Sequence, residues 1–193
     1  MVFTPTKPPL LLVIDLHQIE VDPPSSWAHA LLPISLQMCP RLSMPSASNL
    51  FHDEFYPIEA NASFIAPHAC AVPLPDELIF IKNTGSAFAS SKLKETLPEL
   101  HCGDREIVVI GMEGAKCVNS TVRGAKDLGL NMVVVVDACA SFGVDYFKRE
   151  KVGAEEVHKV AMSILASSYA RLVETDDLVR ELGKWDGTGR IDS

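Results

Sequence analysis

Three residues of this chain could share one piece of chemistry: the carboxylate of Asp15, the ammonium of Lys82 and the thiol of Cys117. Each stands at or just after the end of a short apolar run. LLLVID closes on Asp15, ELIFIK closes on Lys82, and VVIGMEG leads to Cys117 and then into the helical pattern VNSTVRGAKDLG. A thiol at a helix start meets unsatisfied N–H groups and the positive end of the helix dipole, which biases it toward the nucleophilic thiolate. A carboxylate flanked by Leu12, Val13, Ile14 and Leu16 is partly desolvated, which suits it to hold a proton taken from that thiol. An ammonium beside both would stabilise the thiolate and orient the carboxylate. Taken singly, each residue has a plainer reading: a loop cap for Asp15, a snorkelling strand-end lysine for Lys82, a small buried side chain for Cys117.

What would bring the three together is a parallel sheet. Apolar runs recur at residues 10–14, 77–81, 106–110, 132–136 and 170–173, rich in Val and Ile and without polar alternation. Such runs suit strands covered on both faces, with helices on either side of the sheet. If the first three are neighbouring strands, their carboxyl ends meet at one crevice, where α/β enzymes place chemistry. Helices are expected over 92–97 with Ser91 as cap, over 117–128 with Val118, Val122, Ala125 and Leu128 on one stripe before Gly129, and over 151–169. A last helix, capped by Thr175 and carrying Asp176 and Asp177 in its first turn, runs through Leu182.

The pieces LLVIDL, IKNTGSAFASSKL and VVIGMEGAKCVNSTVRGAKDLGLNMVVVVDACAS follow one another as in the isochorismatase-like cysteine hydrolases. The chain resembles that family in an Asp closing the first strand, a Lys followed by a Ser-Ala-Phe turn, and Gly111 placed six residues before Cys117-Val118. The match is good over 75–182 and 10–16 and poor over 20–50. The resemblance implies a three-layer α/β/α, doubly wound domain with a mainly parallel six-stranded sheet in the order 3-2-1-4-5-6. It also implies a Cys117 nucleophile, Asp15 as a base that later acts as an acid, and Lys82 as the third member. The family turn carries a cis peptide not involving proline, here between Met112 and Glu113, with the N–H groups of Glu113 and Cys117 aimed at a forming oxyanion. Family positions equivalent to Glu113 and Gly114 are often small and hydroxylated, so the carboxylate departs from the pattern. His17, Trp27 and Phe88 are candidate pocket residues, and Cys139 a side chain near the site without a chemical role.

Length and composition set the frame. One domain over 1–193 fits 193 residues, with a core at 9–183, a divergent proline-rich part at 20–75 and a tail at 184–193 expected to fray. Of 13 prolines only Pro98 lies beyond Pro75, and Pro33, Pro40 and Pro45 interrupt the place of the family's first helix and second strand, leaving at most a short helix over 27–32. No apolar run approaches the ~20 residues of a membrane span, and the start MVFTPTKPP lacks the marks of a signal peptide. The default is cytoplasmic, with a leaderless export route left open. A net charge of −8 argues against nucleic acid and anionic membrane as partners, leaving a small molecule and, by resemblance, further copies in a dimer or tetramer. Cysteines at 39, 70, 102, 117 and 139 form no C-x-x-C pair, which fits free thiols.

No cofactor is implied. Nicotinamidases of the family hold a divalent ion through Asp-x-His and another His, but Asp53-Glu54-Phe55 lacks that histidine. His52, Asp53 and His68 are therefore read as parts of a solvated loop rather than a metal site. The expected reaction is hydrolysis of a C–N bond in a small amide through a Cys117 thioester. Two alternatives stand beside it: isochorismatase action on an enol ether, and a catalytically silent binding or scaffold protein.

Overall fold

The computed structural model describes residues 7–16, 47–52 in their backbone, 67–68, 71–75, 77–90, 92–146 and 150–183. Strand β1, Leu10–Ile14, is LLLVI with all five residues buried, the pattern of a strand covered on both faces. It lies between β2, Ala47–His52, and β4, Glu106–Gly111. Beyond β2 comes β3, Leu78–Lys82, and beyond β4 come β5, Asn131–Cys139, and β8, Arg171–Val173. The six strands run parallel in the order β3-β2-β1-β4-β5-β8, which is the expected 3-2-1-4-5-6 once β8 is counted as the sheet's sixth strand. A two-residue pair, β6 (Val144–Asp145) and β7 (Lys151–Val152), stands apart and is antiparallel.

Helices α1 (Ala87–Ser90), α2 (Leu93–Thr96), α3 (Asn119–Asp127) and α4 (Ala154–Ser168) supply the first apolar layer. Leu10, Leu12 and Ile14 of β1 face this layer, with Phe88, Leu93, Val118, Val122, Ala125, Met162 and Leu165. The intervening Leu11 and Val13 face the other layer, where Leu178 and Leu182 of α5 (Thr175–Gly183) pack with Val108, Ile110, Val133 and Val135. The alternation of β1 thus places one strand in two cores.

Several expectations are corrected. The Asp15 and Lys82 strands are not neighbours: β2 intervenes and β3 is the sheet edge. Leu128, expected on the buried stripe, is 38% exposed, because α3 ends at Asp127 and Gly129 (φ +76°) turns the chain away. The helix expected from 151 begins at Ala154, since Lys151 and Val152 pair with Val144 and Asp145 and Gly153 is extended. Lys92 rather than Ser91 precedes α2, without a side-chain cap bond. Ser91, the 27–32 segment and the 184–193 tail lie outside the described residues.

The start of α5 is also held differently. Thr175 is the first residue of the helix, and its N–H and Oγ1 both donate to Asp137 Oδ1 at 2.9 Å. Asp137 can reach because the β4–β5 register shifts between Val109/Val134 and Gly111/Cys139, leaving extra β5 residues beside the ladder. A carboxylate from another strand therefore does the work of a helix cap. Asp137→Ala is expected to lower stability by about 1–2 kcal/mol, the upper range for losing a helix cap, measured by urea denaturation.

Candidate active site

The carboxyl ends of β1, β3 and β4 carry the three side chains named at the outset. Lys82 is 1% exposed, and its Nζ has three acceptors: Asp15 Oδ2 at 2.7 Å, the Thr84 carbonyl at 3.2 Å and Cys117 Sγ at 3.5 Å. An ammonium has three donors, so this arrangement satisfies it in full. Lys82 pairs in register with His52, two residues beyond the level of Leu50 and Ile14. The two strand spacings to β1 amount to ~10 Å, which the lysine stem and the aspartate close together.

Asp15, 6% exposed, leaves the strand with φ +48°, the left-handed region. The turn of direction is pinned on both sides. The Met112 N–H donates to the Ile14 carbonyl at 2.8 Å, and the His68 N–H donates to the Leu16 carbonyl at 2.8 Å. Gly111, last in β4, has φ +125°, and a Cβ there would collide with the Ile14 carbonyl oxygen. Only glycine lets the backbones of β1 and β4 come this close.

After Gly111 the peptide between Met112 and Glu113 is cis, and residues Gly114–Val118 form one wide π-type turn in which the Val118 N–H reaches the Glu113 carbonyl at 3.1 Å. Cys117 is the fourth residue of this turn and α3 follows directly. The Glu113 carboxylate folds back rather than entering the crevice. Its Oε1 accepts from the Ala115 N–H at 3.2 Å and the Phe142 N–H at 3.3 Å, and Oε2 lies 3.4 Å from the exposed Lys116 ammonium. The departure from a small hydroxylated residue is thus absorbed as a cap on the turn.

The loop after Lys82 rests on α3. The Ala87 N–H donates to Thr121 Oγ1 at 3.0 Å, and Thr121 is fully buried one helical turn after Cys117. A hydroxyl on the apolar stripe of Val118, Val122 and Ala125 was the available signal for this residue, which the sequence reading passed over.

The electrostatics revise the thiolate expectation. Burial, the neighbouring Asp15 carboxylate and a hydrogen bond with it push the Cys117 thiol up to about 11, and Lys82 only partly counters them. The resting sulfur is therefore protonated at neutral pH, and the helix-start argument is outweighed by desolvation. Cys139 is buried, its Sγ 4.0 Å from the Val109 carbonyl, and burial pushes its thiol up to about 12.

The other candidates are placed as follows. Phe88 is buried in the apolar layer, its ring within 4 Å of a Cβ built on Gly124. His17, Trp27 and Asp53 lie outside the described residues, as does the side chain of His52. His68 is half-buried and anchored through its backbone to Leu16. Among the described residues no helix is long and apolar enough to cross a membrane.

Comparison with known proteins places the chain in a family. The isochorismatase domain model matches residues 56–177, and the chain belongs to the isochorismatase family. It is 32% identical over 120 residues to the Bacillus subtilis isochorismatase family protein YddQ, covering 62% of this chain and 65% of that protein. It is 35% identical over 108 residues to Nicotinamidase 3 of Arabidopsis thaliana, covering 56% of this chain and 48% of the relative. The chain thus spans roughly half to two-thirds of the curated relatives it matches. An isochorismatase family protein of known structure from Chromobacterium violaceum superposes with a TM-score of 0.82 at 28% identity, covering 96% of this chain and 98% of the other.

Because Asp15 raises the Cys117 pKa, its removal should lower it. Thiolate absorbance at 240 nm, taken as the difference from Cys117→Ala, should titrate near about 11 in the wild type and at lower pH in Asp15→Asn.

Proposed function

We propose that this chain is a cysteine hydrolase that cleaves the C–N bond of a small amide. The observation that carries the reading is the buried Lys82 ammonium in contact with both the Asp15 carboxylate and the Cys117 sulfur. A thiol kept protonated at rest needs a base at the moment of attack, and Asp15 is the carboxylate beside it.

In the proposed cycle Asp15 takes the Cys117 proton as sulfur bonds to the amide carbon and the carbonyl electrons move onto oxygen. The N–H groups of Glu113 and Cys117 donate to that oxyanion. Collapse breaks the C–N bond while Asp15 returns the proton to the departing amine, leaving a thioester. Water then attacks the thioester, Asp15 accepts its proton, and the acid leaves as the proton goes back to sulfur. Lys82 stays charged throughout and balances whichever of its neighbours is anionic.

The name of the Arabidopsis relative, a nicotinamidase, supports amide over enol ether. Retention of a cysteine at position 117 points the same way, since an enol ether needs no thiol nucleophile. The shared contact of the three side chains also favours an enzyme over a silent scaffold.

A panel of small amides together with isochorismate, run against wild type and Cys117→Ala, tests this. Turnover of an amide should fall by at least ~10³-fold in Cys117→Ala with an unchanged circular dichroism spectrum. Amide turnover that survives the substitution, or activity on isochorismate alone, would refute the thioester route.

A further inference from the structure

Behind the turn that carries Cys117 lies a second buried polar group, outside the chemistry just described. His158 of α4 is 7% exposed and sits on the apolar stripe with Ala161, Met162 and Leu165. Its Nε2 is 3.1 Å from the Val136 carbonyl oxygen and its Nδ1 is 3.2 Å from Ser141 Oγ. A carbonyl oxygen only accepts, so Nε2 must carry the proton. In a neutral ring Nδ1 is then the acceptor, and the Ser141 hydroxyl donates to it.

Ser141 is 1% exposed and meets the turn directly. A Cβ built on Gly114 would lie 2.6 Å from Ser141 Oγ, 3.2 Å from the Ala140 carbonyl oxygen and 3.2 Å from Met162 Cε. The Gly114 N–H donates to the Ala140 carbonyl at 2.6 Å, and the Phe142 N–H donates to Glu113 Oε1. The backbone bearing Glu113 and Cys117 is thus seated on residues 140–142, and His158 fixes the middle one from behind.

We propose that neutral His158, in the Nε2–H tautomer, is a positioning residue that sets the Cys117 turn through Ser141. This rests on the reading of Cys117 as nucleophile. Burial holds the His158 ring below the usual imidazole range, which keeps it neutral at physiological pH, while the hydrogen bond to the Val136 carbonyl and, less, the Glu113 carboxylate oppose that shift. Glu155 and Lys159 line the groove over the same ring, one of each sign. Protonating Nδ1 would remove the acceptor for Ser141 and loosen the seat of the turn.

The test reads the turn without relying on the natural substrate. Acylation of Cys117 by p-nitrophenyl acetate, followed by intact mass, is measured for wild type, His158→Gln, His158→Phe and Ser141→Ala from pH 5 to 8. A glutamine amide offers one acceptor and one donor at a spacing close to that of the imidazole, but it does not titrate. At pH 8, His158→Phe and Ser141→Ala should acylate about 10-fold more slowly, and His158→Gln within about 3-fold of wild type. These fall short of the ~100-fold that a 1 Å misplacement of a reacting group can cost. Any acid-side loss in wild type that comes from protonating His158 should be absent in His158→Gln. Nitrogen-15 NMR of labelled wild type should show the Nε2–H tautomer. Should His158→Phe fail to fold, Ser141→Ala against His158→Gln still decides. Equal rates in all variants, equal slowing in Gln and Phe, or an Nδ1–H tautomer would overturn the proposal. Normal acylation behaviour without amide turnover would instead remove the amide reading and leave this one standing.

Discussion

The buried ammonium of Lys82 is the constraint to which the rest of the site answers. Taking such an ion out of water costs several kcal/mol, and removing one partner of a buried pair costs about 3–5 kcal/mol. Here the cost is offset by a carboxylate, a carbonyl and a sulfur, each from a different stretch of chain. Asp15 lies at the end of β1, Thr84 in the loop after β3, and Cys117 in the turn after β4. The charge therefore ties three segments to one point.

The surrounding backbone is arranged to hold that point still. Asp15 occupies a left-handed conformation that costs a non-glycine residue about 1–2 kcal/mol, and hydrogen bonds from Met112 and His68 clamp the carbonyls on either side of it. On the opposite side Thr121 joins the loop after Lys82 to α3, while Glu113 and Ser141 join the turn to the chain leaving β5. The left-handed residue is thus held by backbone hydrogen bonds on either side of it.

Much of this was legible in the order of residues. The five apolar runs correspond to sheet strands, and in β1, β4 and β5 the reason is burial on both faces, whereas β3 at the sheet edge leaves Leu78, Ile79 and Ile81 exposed. ASNLFH of β2 escaped because Ser48 and Asn49 break the run. Its insertion between β1 and β3 is what separates Asp15 from Lys82 by two strand spacings. The thiolate argument failed for a definable reason. A helix start was visible in the sequence, but the depth of burial and the nearness of Asp15 were not, and those dominate. His158 and Ser141 were missed because their partnership spans 17 residues and exists only once α4 is packed on the sheet. A lone polar residue on the buried stripe of a helix was the trace they left.

Gly111 carries a consequence for how such a site can diversify. Because β1 and β4 touch there through main-chain atoms, with no room for a methyl group, the spacing of the two strand ends is gauged by peptide geometry and not by a side chain at that point. Walls, loops and lining residues can be exchanged around that fixed gauge without altering its length. One glycine thus uncouples the spacing of the two strand ends from whatever encloses them, so the surroundings can vary while that spacing holds.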